Sequence, residues 1–348
     1  MLEIDGSLKS GSGTILRYAL SLASILDREL RLINIRAKRK KPGLQPQHLK
    51  SVQACCELTG GQAKGAKIGA SEIVFSPGGK IEGGEFSWDI GTAGSATMLS
   101  SCLLPLGCFA EKKSIYTITG GLFQDFAPNV FHMKYVLMTL LKRFSIQANV
   151  EMIKPGYIPT GGGIIKVEIE PVKMKLTPLK LNEQGKIISI KGVAISSHLK
   201  TRAVSHRMRD ACDRVLNRAG YSTEITTIDD TTANQRGAAL FIYAITDKGC
   251  LLGSDMAGKP GRTSEEIGRH VAQQLLDDIR TGATVDRFTA DQLIIYAALA
   301  CGESEFIIPR ITEHVDSNLW LAEKILGIKT VLQKNHLKIK GQPPFKSK

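Results

Sequence analysis

The sequence predicts an α/β protein whose main body repeats a βα unit and whose middle carries a second, smaller α/β block. Three observations carry that prediction. First, three helix-length apolar runs share one design, a small or acidic opening followed by mostly apolar residues: DGSLKSGSGTILRYALSLASIL, DIGTAGSATMLSSCLLPLGCF and VDRFTADQLIIYAALACG. Second, short stretches of alternating or β-branched apolar residues lie among them. Third, the pattern changes from about Asn182, and the last apolar run appears only about a hundred residues later.

Taken in order, LRLINIRA, SEIVFSPG, SIYTITGG and IIKVEIEP read as strands. Glycine clusters at Gly60-Gly61, Gly78-Gly79, Gly83-Gly84, Gly120-Gly121 and Gly161 to Gly163 mark the turns and bulges between units. Past Asn182, KIISIKGVAISS reads as a strand. TRAVSHRMRDACDRVLNRAG follows as a helix with Val204, Met208, Cys212, Val215 and Leu216 on one face and Gly220 just beyond its end. STEITTID, AALFIYAIT and CLLGSDMAG read as three further strands. Thr263 with Glu266 three residues on is a capping box, opening a helix that buries Ile267, Val271, Leu275 and Ile279. The order βαβββα makes a self-contained block. The expected division is a large domain over residues 1–182 and 281–340 and an inserted α/β domain over residues 183–280.

The chain has 348 residues, enough for a sizeable core. Lys and Arg number 46 against 33 Asp and Glu, a formal charge of +13, which favours a polyanionic partner such as nucleic acid; a solvated basic surface is the alternative. The seven cysteines are an odd set without a C-x-x-C pair, so reduced thiols are expected and a zinc site is not. The opening MLEIDGS lacks a basic segment followed by an apolar core. No apolar run approaches the roughly 20 residues that span a bilayer, so the cytoplasm is the expected compartment. G-x-x-x-x-G-K-[ST], G-x-S-x-G and H-E-x-x-H are all missing, which disfavours the common NTPase, hydrolase and metalloprotease routes.

Four stretches carry candidate chemistry. The loop DGSLKSGSGT runs into an apolar helix with one arginine, Arg17, a cradle for an anion at a helix N-terminus or a plain turn. In NIRAKRKKPGLQPQHL, Arg36, Lys38, Arg39, Lys40 and Lys41 precede Pro42-Gly43, with Gln47 and His48 at the next helix start. Guanidinium forks there suit phosphate oxygens; a solvated basic loop is the other reading. Asp291 and Gln292 in TADQLIIYAAL open a helix, either complementing its dipole or contacting a metal-triphosphate or nucleobase. His314 lies in the strand-to-helix junction of RITEHVDSNLWLAEKIL, with Asp316, Ser317 or Asn318 as the expected cap. It is structural or a nucleophile, since a neutral imidazole attacks phosphorus to give a phosphoramidate.

In order, these segments resemble the RNA 3'-terminal phosphate cyclase family over roughly residues 3 to 330. The resemblance rests on IDGS with ILR and on IRAKRKKPGLQPQHL, close to the family's IRA-x-R-x-x-PGL-x-x-QHL. It continues through DIGTAGSATML, TGG with APN, GYIPTGGG and GATVDRFTADQL to HVDSN, against H-x-x-[ST]-N. It implies a large domain of three βαβαββ-like repeats, each similar to the C-terminal domain of a translation initiation factor, with a smaller α/β domain inserted before the third.

The implied activity is an ATP-dependent, AMP-forming ligase reaction that makes a 2',3'-cyclic phosphodiester from an RNA 3'-phosphate. His314 attacks the α-phosphorus of ATP, AMP passes to the RNA phosphate, and the vicinal 2'-OH closes the ring. By the same resemblance Arg17, Arg36 and Arg39 hold the triphosphate or the RNA phosphate, and Gln47 and His48 add polar contacts. Phe288, Asp291 and Gln292 match the nucleotide-contacting stretch, and Pro128 is a candidate for the adenine wall. A divalent metal, Mg or Mn, is implied, with Asp291 its candidate ligand.

Three positions depart from the family pattern. Ser10 stands where a metal-binding glutamate is expected, Thr14 where a glutamine is expected, and Ser101 where an ATP-contacting glutamine is usual. They support an alternative, a catalytically impaired cyclase-like protein that binds RNA in RNA processing or ribosome biogenesis. The expected partners are RNA with a 3'-phosphate end and ATP, and no membrane; a homodimer is left open.

Overall fold

The computed structural model describes residues 1–344. The first unit runs β1 (Leu2–Asp5), α1 (Gly13–Ile25), β2 (Leu30–Ile33), α2 (Pro46–Thr59), β3 (Gln62–Lys64) and β4 (Ile73–Ser76). The second runs β5 (Gly84–Asp89), α3 (Ala96–Cys108), β6 (Ser114–Gly120), α4 (Val130–His132), a π-helical turn (Met133–Leu137), α5 (Met138–Arg143), β7 (Ala148–Lys154) and β8 (Gly163–Ile169). A short strand β9 (Lys180–Leu181) follows. Then come β10 (Ile187–Ser197), α6 (Val204–Arg218), β11 (Thr223–Asp230), β12 (Gly237–Thr246), β13 (Leu251–Ala257) and α7 (Ser264–Arg280). The chain closes with α8 (Thr289–Leu299), β14 (Gly302–Ile307), α9 (Glu313–Leu326), β15 (Lys329–Gln333) and β16 (His336–Gly341).

Three of the four sheets share one topology. Their orders are β1-β2-β4-β3, β5-β6-β8-β7 and β9-β14-β16-β15, so each unit places its strands first, second, fourth, third. In each, the first two strands are parallel and the rest antiparallel. This is the βαβαββ repeat. The third copy departs from the expectation that it starts after residue 280, because its first strand, Lys180–Leu181, precedes the β10–α7 block and pairs with Glu305 and Phe306. Two residues are too few to carry a period-two signal. The fourth sheet, β11-β10-β12-β13, is covered by α6 and α7, which pack on each other and bury Met208, Cys212, Leu216, Ile267, Val271 and Leu275.

The repeats meet through their helices. All thirteen residues of α1 are buried, as expected of a helix that is apolar nearly all round. It packs on α2, α3 and α9, while α8 packs on α9 and β16. Ser12 caps α1 by accepting from the Thr14 amide. Thr263 caps α7 by accepting from the Glu266 amide at 3.1 Å, the half of the capping box that the structure contains.

The α9 cap corrects the sequence expectation. Thr312 fills it, its Oγ1 accepting from the Val315 amide at 3.1 Å. Asp316, Ser317 and Asn318 lie inside the helix, and His314 becomes its second residue. Among the described residues no helix is long and apolar enough to cross a membrane.

Candidate active site

A cavity of about 350 Å³ opens where α1, α3, α8 and α9 converge. From α1 come Thr14, Arg17 and Tyr18, and from α3 Met98 and Ser101. Phe126 and Pro128, just before α4, form one side; Phe288, Asp291 and Gln292 at the start of α8 form another. Thr312, Glu313 and His314 close it at the start of α9, with Arg39 and Arg310 at the margin. Residues nearly 300 positions apart in the chain thus share one pocket because the first and third repeats pack helix to helix.

Arg17 dominates the electrostatics. Its residue is only 7% exposed, and its guanidinium has no hydrogen-bonded or ion-paired acceptor among the described residues. Burial works against its charge and pulls its pKa down from the usual range. A buried cation without a partner is costly unless an anion arrives. Asp291, half-buried nearby, is pushed by desolvation up to about 7, with the Arg17 charge only partly opposing that rise.

His314 is held neutral. Burial first, then the positive charges of Arg17 and Arg39, lower its pKa to about 4. Its Nδ1 is buried without a hydrogen-bond partner among the described residues, which leaves Nε2 as the nitrogen that can face the cavity. An uncharged imidazole beside cationic groups retains a lone pair for attack on an electron-poor centre.

Phe288 is seated by a buried ionic pair behind it. His132 lies edge to face with Phe288, ring centroids 5.9 Å apart, and its Nε2 sits 3.2 Å from both carboxylate oxygens of Asp286. Asp286 also accepts from the amides of Gly253, Phe288 and Thr289, each at 2.8 Å. Burial opposes charge on both groups, yet mutual attraction wins: His132 is raised and Asp286 lowered from their ordinary values. Gln292 donates to the Phe288 carbonyl at 2.8 Å, bracing the same turn.

Other sequence-selected residues hold the loops around the cavity and do not line it. Arg36, at φ 57°, donates to the carbonyls of Lys41 and Gly43 at 2.6 and 2.8 Å and so clamps the basic turn. Gln47 accepts from the Ser95 amide at 2.8 Å, tying the α2 start to the α3 cap. His48 is buried, its pKa driven down to about 2 by desolvation and then by Arg17, Arg36 and Arg39. Its ring lies so close to Gly13 that any Cβ there would collide with Nε2, so the helix start requires glycine.

The three departures behave differently. Ser10 does not line the cavity; it is 3% exposed, and its Oγ joins Ser12 Oγ at 2.9 Å and Ser317 Oγ at 2.8 Å. Thr14 Oγ1 donates to Asn318 at 3.4 Å, and Ser101 donates to the Thr97 carbonyl at 2.9 Å, both on the cavity wall. Among the described residues no three His, Cys, Asp or Glu side chains cluster as a metal cage. The carboxylates lining the cavity are Asp291 and Glu313, and these two would suit an ion held mainly by substrate phosphates.

Sequence reasoning missed Tyr18, Met98, Phe126, Arg287, Arg310, Thr312 and Glu313 as wall residues. Phe126 directly precedes APN and Thr312 lies inside RITEHVDSNLWLAEKIL, two residues before His314, and that adjacency was the available signal. Arg287 is engaged with Asp278 at 2.6 Å, leaving Arg310 as a further cation at the rim.

The family model described as RNA 3'-terminal phosphate cyclase matches residues 8–332. A protein from Hyperthermus butylicus named RNA 3'-terminal phosphate cyclase is 36% identical over 332 residues, 94% of this chain and 92% of that one. Proteins of the same name from Pyrobaculum aerophilum and Pyrococcus furiosus are each 35% identical over 328 residues, 94% of this chain and 93% and 94% of theirs. With matches of that extent, this chain belongs to the RNA 3'-terminal phosphate cyclase family.

Proposed function

We propose that this chain uses ATP to convert an RNA 3'-terminal phosphate into a 2',3'-cyclic phosphodiester, with His314 as the nucleophile. The observation that carries the reading is the pairing, in one cavity, of an unpartnered buried Arg17 with a histidine kept uncharged. The first attracts a phosphate; the second can attack one.

In the first step Nε2 of His314 forms a bond to the α-phosphorus of ATP, and the bond from that phosphorus to the oxygen bridging the β-phosphate breaks, releasing pyrophosphate. Arg17, with Arg39 and Arg310 at the margin, balances the negative charge that builds on the phosphoryl oxygens. Phe288 and Pro128 offer flat faces for the adenine ring. A divalent ion entering with the triphosphate would neutralise phosphate charge, and Asp291 and Glu313 are the residues that would hold it.

In the second step an oxygen of the RNA 3'-phosphate displaces His314 from the adenylyl phosphorus. The neighbouring 2'-OH then attacks the activated 3'-phosphorus, losing its proton, and AMP leaves. The ribose already holds the 2'-oxygen beside that phosphorus, so positioning supplies much of the acceleration.

We read the β10–α7 block as an inserted domain and Arg36, Gln47 and His48 as residues that shape the phosphate-binding loops. The test follows the RNA end: with ATP, a labelled 3'-phosphorylated oligonucleotide becomes resistant to phosphatase, and a 3'-hydroxyl oligonucleotide does not change. RNA that binds tightly yet stays phosphatase-sensitive across Mg and Mn would favour the non-catalytic RNA-binding reading, which the tied-off Ser10 hydroxyl favours.

A further inference from the structure

We propose that the RNA strand upstream of its 3' end leaves the cavity over Phe126, which stacks a base, and passes into a second, cationic cleft where Arg202 and Arg236 bind its phosphates. This rests on the reading that the cavity receives a 3'-phosphorylated RNA end.

The cleft measures about 710 Å³ and lies between the turn at Tyr157 to Pro159 and the β10–α7 block. Among the described residues five cationic side chains line it and no carboxylate does. Three of the five are committed: Arg207 to Glu265 at 2.7 Å, and Arg262 and Lys259 to Asp125 at 2.8 and 3.5 Å. Arg202 and Arg236 are exposed, and their guanidinium groups have no partner among the described residues. The first residues of both α6 and α7, Val204 and Ser264, line the same cleft. Their amide ends add a field of the same sign to that of the two free arginines.

The segment from Asp125 to Asn129 joins the two sites. Its Asp125 carboxylate accepts from both terminal nitrogens of Arg262, at 2.8 and 3.0 Å, on the cleft side. At the other end the Pro128 carbonyl accepts from Thr97 Oγ1 at 2.8 Å, and the Asn129 amide donates to Asp255 at 3.0 Å. Between these anchors Phe126 has φ 68° and a side chain fully exposed to solvent. A bulky residue persists in that backbone region only where its surroundings impose it. Here the imposed geometry holds an aromatic face in water at the rim of the cavity, as a base-stacking platform requires. Charge selects the strand as ligand: two free arginines and no acid suit a phosphate backbone, and the aromatic between them and the cavity suits an unpaired base.

Fluorescence anisotropy of a labelled 3'-phosphorylated RNA of about 10 nucleotides, compared with a 3'-phosphorylated dinucleotide confined to the cavity, tests the path. Phe126→Ala should weaken binding of both by about 5- to 150-fold, the range of one lost stacking contact. Arg202→Ala combined with Arg236→Ala should weaken the longer RNA alone and reduce the magnitude of its log-log salt slope by about 1.4. All three side chains are exposed, so the melting temperature should not move. Unchanged affinity and slope, or an equal loss for both RNAs in the double arginine variant, would overturn the path. So would failure of the unmodified protein to bind the longer RNA. Tight, variant-sensitive binding without ATP-dependent cyclisation would support the path and defeat the catalytic reading instead.

Discussion

Replacing Arg17 by methionine asks whether the cavity is organised around an anion. The residue is 7% exposed, and burial is the first cause of its lowered pKa, with no hydrogen bond among the described residues to offset it. Replacing a buried ion pair or triad by apolar residues of similar size is often neutral or stabilising, by up to about 1–4 kcal/mol. Arg17 faces a cavity that can admit water, which places it at the low end, about 1–2 kcal/mol. In a chain of this size that corresponds to a rise in melting temperature of about 1–3 °C without ligand. ATP at about a hundred times its Kd should stabilise the unmodified protein by about 2.7 kcal/mol, and most of that should vanish in the variant. Thermal unfolding with and without ATP reads both quantities. An Arg17→Met protein that melts lower without ligand and keeps the full ATP shift would refute the reasoning.

His314 should titrate near pH 4; a ring-carbon NMR resonance identified by its loss in His314→Ala should therefore keep its neutral position through the physiological range, and titration near 6.5 would contradict this. Unfolding restores an ordinary histidine that binds a proton more readily, so this group's contribution makes stability fall as pH drops from about 6.5 toward about 4. Asp286→Asn removes one partner of a buried pair and should cost about 3–5 kcal/mol in urea unfolding; a loss below about 1 kcal/mol would mean His132 is not charged there. Ser10→Ala should cost about 1 kcal/mol by breaking the Ser10, Ser12 and Ser317 hydroxyl ladder, with the ATP shift intact. Loss of that shift at unchanged stability would move Ser10 into the binding machinery.

Much of the fold was legible because the repeats announce themselves chemically. A helix buried on every side, such as α1, is apolar nearly all round, so its one charged residue, Arg17, stood out against it. The two-residue β9 and the π-helical turn at Met133–Leu137 left no such trace, since neither is long enough to repeat its period. The α9 cap was misread because HVDSN offers three capping residue types, while Thr312 lies two residues before His314 and claims the amide. At the site, Arg17, Arg39, Pro128, Phe288, Asp291, Gln292 and His314 line one cavity. The braces formed by Arg36 and Gln47 were not legible, because a guanidinium that clamps carbonyls and one that binds phosphate look alike in sequence. Phe126 was hidden for the opposite reason. A phenylalanine is expected to be buried, and only the anchors at Asp125 and Asn129 force it outward.

The most direct measurement is the intact mass of the protein after incubation with ATP and Mg or Mn, followed by acid and alkali treatment. A single AMP adduct that is alkali-stable, acid-labile and missing from His314→Ala is the predicted result. An adduct retained in His314→Ala, or none in a protein that ATP still stabilises, would contradict nucleophilic catalysis by His314.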